Sequence, residues 1–527
     1  MIDGDMQDFP LTLDTFIDHA AKWHPGVEIA TAAEGGRVER IGFAEVRDRA
    51  RAVSSVLAGL GVRAGDRVAT LAWNSAAHVE AWYAIMGMGA VCHTLNPRLM
   101  AEQLADMVVQ SGASIVVVSA DLLGLAREIA AAAPLRHLLV IDGHAATERA
   151  GAASVAALDP MIAAADRDVA WGGFPETTPS GLCFTSGTTG APKGVTYTHR
   201  SSFLHTLRVL QADVMAFTAS DSILAVVPMF HANAWGLPFA APAVGARLVL
   251  PGRATDGASI ARLIAAEGVT IGVGVPTVWL GVVEHLEATG ATLPTLTRVI
   301  VGGAPLAPAL MQRIETCLGV EVQTSWGMTE LSPSGTVARP RDPARSAEVS
   351  GKPAIGVDLL LTDADGVPLV DQRHGEGHLR VRGASVVARY FGQTEPATDA
   401  RGWFATGDLA RIDADGNLTI TGRSKDLIKS GGEWINPAEI EAVIGALPGV
   451  SLAAVIGRRD AKWGERPILL VEMRAKDDLS DDALLASLKG RVASWWVPDA
   501  VVRLPAMPLA PTGKIDKMRL RSQFSAV

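Results

Sequence analysis

The stretch Phe184-Thr185-Ser186-Gly187-Thr188-Thr189-Gly190-Ala191-Pro192-Lys193-Gly194 combines glycines, hydroxyls and one lysine behind an apolar run. Glycines let the backbone approach a ligand closely, while hydroxyl donors and an ammonium group suit phosphate oxygens. The stretch is not a Walker A loop, because Ala191-Pro192 follow Gly190 where that motif needs Lys-Ser/Thr. We therefore predict a polyphosphate-binding loop formed by Thr185, Ser186, Gly187, Thr188, Thr189, Gly190 and Lys193.

Helix-like and strand-like patterns alternate on both sides of this loop. Apolar residues recur every three or four positions over 45–60, which predicts a helix, and Asn74 and Ser75 can cap the next one. Strands separated by helices imply parallel βαβ units. Short apolar runs predict these strands at 68–72, 115–118, 138–141, 223–227, 247–250, 270–275 and 298–301.

The pattern changes after Gly351. Residues 351–420 are rich in short β segments, and Asp365-Gly366 and Asp415-Gly416 suit hairpin-type turns. Further on, strands are predicted at 452–456 and 468–473, and a helix at 481–494. We predict an α/β fold, with a large multilobed N-terminal domain over 1–424 and a small mobile α+β C-terminal domain over 425–527.

Composition excludes several classes of protein. The 527 residues are 48% hydrophobic with a net charge of -9, which argues against disorder and nucleic-acid binding. Three separated cysteines fit a reducing compartment, and no signal peptide is visible, so a cytoplasmic location is expected. The uncharged stretch 222–246 contains three prolines, so we predict buried core rather than a membrane span.

Further motifs follow the loop in a fixed order: Ser325-Trp326-Gly327-Met328-Thr329-Glu330, Thr406-Gly407-Asp408, Gly422-Arg423-Ser424-Lys425-Asp426 and Pro511-Thr512-Gly513-Lys514. Together with the loop, these motifs resemble the adenylate-forming superfamily, which includes acyl-CoA synthetases, beetle luciferases and peptide-synthetase adenylation domains. The pattern is most similar to medium- and long-chain fatty-acid CoA ligases. The resemblance covers residues 184–517, and the N-terminal α/β pattern fits it.

The resemblance implies roles for residues of the nucleotide site. Glu330 is expected to bind Mg²⁺, Thr329 to touch the α-phosphate of ATP, and Asp408 to accept hydrogen bonds from the ribose hydroxyls. Arg423 would assist at the ribose or phosphate, and Lys514 would be the catalytic lysine of adenylation. Trp326 stands where the family usually has a tyrosine stacked on adenine. The rest of the adenine slot is expected to be Gly303, Ala304, Pro305, Gly327 and Met328.

The resemblance also implies a mobile hinge and a coenzyme A site. Lys425 occupies the hinge position, about which the C-terminal domain would rotate between the two half-reactions. The segment presented after rotation would accept the pantetheine arm of coenzyme A. Its residues are Lys429, Gly431, Gly432 and Trp434.

The acyl pocket is expected around His231 and Trp235, because fatty-acid CoA ligases place a tryptophan gate in this segment. The leading prediction is an ATP-dependent synthetase of a medium- or long-chain fatty acid. A ligase of 3-methylthiopropionate or an arylpropenoic acid remains open, as does an acyl-AMP ligase that delivers to a carrier protein. No carrier domain follows Lys517, which favours free coenzyme A. The expected partners are ATP, coenzyme A and a small carboxylic acid, and the resemblance leaves a homodimer open.

Overall fold

The computed structural model describes residues 4–143, 148–185, 192–343, 345–474, 479–510 and 513–525. Within them the α-helices are α1 (Asp14–Trp23), α2 (Phe43–Gly59), α3 (Ala76–Gly87), α4 (Ala101–Ser111), α5 (Leu123–Ala132), α6 (Leu158–Ala164), α7 (His199–Val209), α8 (Leu237–Val244), α9 (Gly257–Glu267), α10 (Pro276–Thr289), α11 (Pro308–Leu318), α12 (Pro437–Gly445), α13 (Asp481–Ala486) and α14 (Lys517–Phe524).

The strands of the first half of the chain are β1 (Glu28–Ala32), β2 (Val38–Gly42), β3 (Arg67–Leu71), β4 (Val91–Thr94), β5 (Ile115–Ser119), β6 (His137–Ile141), β7 (Glu148–Ala150), β8 (Ala153–Ala157), β9 (Pro179–Phe184), β10 (Gly194–Thr198), β11 (Ser222–Ala225) and β12 (Arg247–Leu250). Those of the second half are β13 (Ile271–Gly274), β14 (Arg298–Val301), β15 (Glu321–Gly327), β16 (Ser334–Val337), β17 (Lys352–Pro353), β18 (Val357–Thr362), β19 (Glu376–Gly383), β20 (Phe404–Ile412), β21 (Leu418–Arg423), β22 (Ile428–Ser430), β23 (Glu433–Ile435), β24 (Val450–Asp460), β25 (Gly464–Met473) and β26 (Val501–Arg503).

Two large sheets with parallel centres form most of the N-terminal part. One has the order β10-β9-β4-β3-β5-β6-β8-β7, and the other has the order β17-β16-β15-β14-β13-β11-β12-β1-β2. In both sheets the central pairs are parallel and the pairs at the edges are antiparallel. The shared core holds bulky side chains such as Trp82, Tyr83 and Phe239. The α/β prediction is thereby confirmed.

The β-rich part is a four-stranded antiparallel sheet in the order β18-β19-β20-β21. Asp415-Gly416 lies in the short β20–β21 turn as predicted, with Gly416 at φ 89°. Asp365-Gly366 also forms a tight turn, but this turn sits inside the longer connection between β18 and β19. Its strand β18 contacts β17, which lies at one edge of the nine-stranded sheet.

The last part of the chain is a separate α+β unit with its own core. Its sheet has the order β23-β22-β25-β24, with β26 beside β25. Ile428, Ile440, Val455 and Leu469 are among its fully buried side chains. The helix predicted over 481–494 is wrong in length, because α13 ends at Ala486. Gly490 follows with φ 75°, a backbone that a helix cannot continue.

Of the two residues predicted to cap α3, only one does so. Ser75 accepts a hydrogen bond from the backbone N–H of His78, as an N-cap residue does. Asn74 instead donates to the carbonyls of Ala225 and Val227, and so ties this turn to the end of β11. The uncharged stretch 222–246 is buried in the N-terminal core as predicted. No helix among the described residues is long and apolar enough to cross a membrane.

Candidate active site

The ends of the predicted phosphate loop lie side by side. β9 and β10 pair antiparallel, with Phe184 opposite Gly194. The backbone N–H of Thr185 donates to the carbonyl of Lys193 at 2.9 Å. The loop therefore joins two strands of a hairpin, and α7 begins only at His199. Ser186, Gly187, Thr188, Thr189 and Gly190 lie outside the described residues, so their predicted role stays a prediction.

Thr329 and Glu330 follow β15 in a short 3₁₀ segment, and both are buried. The Tyr197 hydroxyl donates to the Thr329 carbonyl at 2.8 Å, and the Tyr390 hydroxyl donates to Glu330 Oε1 at 2.9 Å. Burial raises the pKa of Glu330, while hydrogen bonds and the nearby charges of Arg423 and Lys193 act in the opposite direction. These contacts therefore fix the segment in a position that is largely shielded from solvent.

Arg208 on α7 secures the chain just after Glu330. Its guanidinium donates to the Ser334 carbonyl at 2.9 Å and to Ser385 Oγ at 3.0 Å. Burial lowers the pKa of Arg208 to about 10. Sequence reasoning missed Arg208, Tyr197 and Tyr390, since none of them stands in a motif and their partners are distant in the chain.

The Asp408 carboxylate has a partner for each oxygen. Arg423 Nε lies 2.8 Å from Oδ1, and the Trp326 indole N–H donates to Oδ2 at 2.9 Å. Asp408 and Arg423 face each other on β20 and β21, which explains why these two motifs meet. Asp408 is 1% exposed. A carboxylate has further lone pairs, so the predicted ribose contact remains chemically open.

Trp326 makes structural contacts in addition to its predicted stacking on adenine. It packs in the core beside Tyr197 and Leu331, and a Cβ on Gly335 would lie 2.5 Å from its ring. A tyrosine at this position has no indole N–H, so the substitution noted in the sequence brings a specific link to Asp408. Stacking on adenine stays a prediction. The neighbouring slot residues Gly327, Met328, Gly303 and Ala304 are half-buried, and Pro305 is exposed.

Lys514 joins this cluster from the C-terminal unit. Burial lowers its pKa to about 8, with Arg423 and Lys425 adding repulsion and Asp408 and Glu330 attraction. Gly513, at φ 82°, packs against Val275 and Thr277 of the N-terminal part, and the Thr277 hydroxyl reaches the Gly513 carbonyl at 3.4 Å. The charges of Lys514 and Lys193 therefore both interact with that of Glu330, although the two lysines are far apart in sequence.

His231 and Trp235 lie in a turn with an unusual backbone. Ala232, Asn233, Ala234 and Trp235 all have positive φ, between 44° and 52°. This left-handed turn sets the Trp235 ring against the backbone after β14, where a Cβ on Gly302 would be 3.0 Å from the ring. Burial, and then the charge of Lys514, lowers the pKa of His231 to about 4. Of the two predicted pocket residues, Trp235 thus lies against Gly302, and His231 is near enough to Lys514 for its charge to act.

The predicted coenzyme A residues are on the surface, unlike Lys514. Gly431 and Gly432 form the two-residue turn of the β22–β23 hairpin, and Lys429 lies over the exposed Trp434 ring at 5.4 Å. The carbonyl of Trp463, which sequence reasoning did not select, accepts a hydrogen bond from the Gly431 N–H. An open pocket of about 590 Å³ lies beside this hairpin, lined by Lys429, Arg459, Asp460, Ala461, Gly464 and Glu465.

Lys425, the predicted hinge residue, sits in a 3₁₀ turn between the two parts of the chain. The next residue, Asp426, pairs with Arg521 at 2.8 Å and with Lys517 at 4.0 Å, both on α14. Across the joint, Asn436 Nδ2 donates to the Thr421 carbonyl at 2.7 Å. The C-terminal unit is therefore fastened to β21 in the arrangement that places Lys514 in the cleft.

The donor set is compatible with a magnesium ion that arrives with a nucleotide. No group of three or more His, Cys, Asp or Glu side chains suited to a metal occurs among the described residues. Glu330 offers one carboxylate, of which Oε1 already accepts from Tyr390. Mg²⁺ commonly takes one or two protein carboxylates and completes its shell with phosphates and water. The residues present fit that mode.

Two large sheets with parallel centres, followed by a small α+β unit that brings Lys514 near Asp408 and Glu330, are the architecture expected of an adenylate-forming enzyme. The comparisons with known proteins agree. The AMP-binding enzyme family matches residues 17–391, and the AMP-binding enzyme C-terminal domain matches residues 439–514. The chain belongs to this family.

Its relatives include several CoA ligases. The chain is 40% identical to a medium-chain-fatty-acid–CoA ligase of Ectopseudomonas oleovorans, covering 99% of this chain and 98% of that one. It is 42% identical to a 3-methylmercaptopropionyl-CoA ligase of Ruegeria pomeroyi, covering 99% of each. The crystal structure of an anthranilate CoA ligase in complex with anthranoyl-AMP superposes with a TM-score of 0.88 at 25% identity, covering 99% of each chain.

Proposed function

We propose that this chain is an ATP-dependent acyl-CoA synthetase that activates a medium- or long-chain fatty acid. The observation that carries the proposal is that Lys514, from the C-terminal unit, lies near enough to Glu330 and to the Asp408–Arg423 pair for their charges to interact. A ligase needs such a combination, because the oxygen that a carboxylate must lose is a poor leaving group and has to be activated. Transfer of AMP to that oxygen solves the problem.

In the first half-reaction a carboxylate oxygen attacks the α-phosphorus of ATP, and the bond to pyrophosphate breaks. Negative charge builds on the phosphate oxygens, and fixed positive groups there lower the barrier. Lys514 and Lys193, which are far apart in the sequence, would supply such groups. Glu330, with Thr329 beside it, would hold Mg²⁺, which would neutralise phosphate charge when bound.

In the second half-reaction the thiol of coenzyme A, having lost its proton, attacks the acyl carbonyl carbon. The bond from that carbon to the AMP oxygen breaks, and AMP leaves. The exposed face with Lys429, Trp434 and the adjoining pocket suits an anionic, aromatic nucleotide. Lys425 would serve as the hinge that exchanges Lys514 for this face.

The acid is assigned from the pocket and the relatives together. Trp235 and Val275 both lie beside Gly303, and the neutral form of His231 adds no charge at pH 7. The identities of 40% to a medium-chain-fatty-acid–CoA ligase and 42% to a 3-methylmercaptopropionyl-CoA ligase do not rank the two acids. The packing of Trp235 against the apolar core favours a fatty acid, and a short thioether acid is the second candidate. We further propose a cytoplasmic location, because all three cysteines are unpaired thiols.

The test is a screen for pyrophosphate release with ATP, Mg²⁺ and a panel of acids. The panel runs from butyrate to palmitate and includes 3-methylthiopropionate and ferulate. Fatty acids should give the highest kcat/KM, and added coenzyme A should convert the adenylate to a thioester. Release without thioester formation would indicate a carrier-directed acyl-AMP ligase, and no release with any acid would refute the proposal.

A further inference from the structure

Residues 385–391, here called the bridging segment, touch both loops that would hold ATP. Toward Glu330, the backbone N–H of Val387 donates to the Glu330 carbonyl at 2.8 Å. Toward the phosphate loop, the N–H of Phe391 donates to the Gly194 carbonyl at 2.8 Å. A Cβ on Gly194 would lie 2.9 Å from the Phe391 side chain, so this contact is close-packed. The segment fixes the loops relative to each other.

Tyr390 is the side chain through which the bridging segment reaches the charged groups. Its hydroxyl donates to Glu330 Oε1 at 2.9 Å. The Lys193 ammonium lies 4.9 Å from the centre of its ring. A cation on an aromatic face and a carboxylate at the phenol hydroxyl are both favourable arrangements. One half-buried side chain thus contacts a cation and an anion at once.

Lys193 and Glu330 contact different parts of Tyr390, the ring and the hydroxyl. These two residues form no direct ion pair within 4.0 Å, although both are described and their charges interact. The lysine has a flexible stem of four carbons and would collapse onto a free carboxylate. Such a pair would compete with phosphate for the ammonium and with Mg²⁺ for the carboxylate. Hydrogen bonding at Oε1 also limits rotation of the carboxylate.

We propose that Tyr390 is a positioning residue, which holds Lys193 for the nucleotide phosphates and Glu330 for the metal ion and prevents their pairing. The inference rests on the proposed function, because it assigns those two ligands to ATP and Mg²⁺. It divides into two parts that can be measured separately. The hydroxyl governs Glu330, and the ring governs Lys193.

The first test is Tyr390→Phe, which removes one oxygen and keeps the ring. We expect the Mg²⁺ concentration for half-maximal pyrophosphate release to rise about tenfold, as for loss of a hydrogen bond to a charged group. Metal-free ATP binding, measured by calorimetry, should be unchanged. In the presence of Mg²⁺, the Tyr390→Phe variant should bind ATP more weakly than the wild type in the calorimeter. This readout does not depend on turnover.

The matched control is Tyr83→Phe. The Tyr83 hydroxyl donates to the Pro238 carbonyl at 2.8 Å inside the core, so it is another buried phenol bond without a site contact. Its removal should lower the melting temperature and leave the Mg²⁺ dependence as in the wild type. The comparison separates a loss of stability from a loss of metal positioning.

The second test is Tyr390→Leu, which also removes the ring. Lys193 should then pair with Glu330, and metal-free ATP binding should weaken as well. The inference is wrong if Tyr390→Phe keeps the wild-type Mg²⁺ dependence, or if it lowers kcat equally at every Mg²⁺ concentration. If wild-type protein binds no ATP in the same calorimeter, the proposed function itself fails. Tyr390→Phe decides the matter even if Tyr390→Leu does not fold.

Discussion

At the scale of single residues, Lys514 lies where the charges of two cations and two carboxylates act on it. The nearby Arg423 and Lys425 disfavour its charge, whereas Asp408 and Glu330 favour it, and burial is the largest influence. An ammonium placed in such a site carries little water that must be removed during the reaction. That is the electrostatic condition under which one charged group contributes strongly to catalysis.

Replacement of Lys514 by alanine should separate the two half-reactions. We expect adenylate formation to fall by about 10²–10³, the usual loss for one such electrostatic group. Thioester formation from supplied acyl-adenylate should be largely retained, because the thiol attack does not use this lysine. Rapid-quench assays of each half-reaction make the measurement. The exposed Lys489 of the same domain gives the control variant, Lys489→Ala.

The lowered pKa of Lys514 predicts a pH profile. Its pKa falls from 10.5 to about 8, so the ammonium is present below pH 8 and is lost as the pH rises above it. The value of kcat/KM for ATP in adenylate formation should therefore decline above about pH 8. Residual activity of Lys514→Arg should stay level over the same range, because a guanidinium remains charged. A wild-type profile that is flat to pH 9.5 would contradict the assignment.

At the scale of elements, the left-handed turn at 232–235 is the most strained part of the site. Left-handed backbone costs an L-residue about 1–2 kcal/mol, and four consecutive residues adopt it here. Ala232, Asn233 and Ala234 of this turn are themselves buried, which holds the turn in place. Strain of this kind persists where the surrounding structure fixes a functional geometry. Here the geometry sets the Trp235 ring against the Gly302-Gly303 backbone.

Replacement of Trp235 by alanine should change the preferred acid more than the affinity for ATP. Removing the indole enlarges the pocket at that point, so the ratio of kcat/KM for long and short acids should shift several-fold. The acid panel and ATP titrations make the comparison. Trp23→Ala removes a tryptophan that is 62% exposed and should leave the profile unchanged. An unaltered profile in Trp235→Ala would show that the pocket lies elsewhere.

At the scale of the whole molecule, the contact between Asn436 and Thr421 belongs to the arrangement that brings Lys514 into the cleft. The two residues flank the hinge, so rotation about Lys425 would break the bond. A contact made in only one of two states shifts the balance between them by its own free energy. Asn436 also caps α12, which must be kept intact in any test.

Asn436→Ser meets that condition, because a serine hydroxyl still caps the helix but is too short to reach Thr421. Adenylate formation should slow several-fold, since the arrangement that positions Lys514 would be less populated. Thioester formation from supplied acyl-adenylate should be unchanged or faster. Equal slowing of both steps would show that the bond serves stability alone, which a thermal melt of the same variant would register.

Much of the fold could be predicted because its signals are local. The runs at 247–250 and 298–301 became β12 and β14 with the same limits, since an apolar run between turn residues leaves few other structures. The helix over 481–494 was overextended, because the pattern did not show the positive φ that Gly490 would adopt. Asn74 resembled a cap, but tertiary contacts with β11 took its side chain.

The sequence by itself determined the alternation of strands and helices, the family and the chemical types at the site, because periodicity and short motifs are local properties. Only the tertiary structure decided which groups meet. Tyr390 joins Lys193 to Glu330, and Arg208 secures the chain beyond Glu330, through contacts between residues 60 to about 200 positions apart. Such contacts depend on how β-rich and α/β layers pack, and no short stretch of sequence encodes that distance.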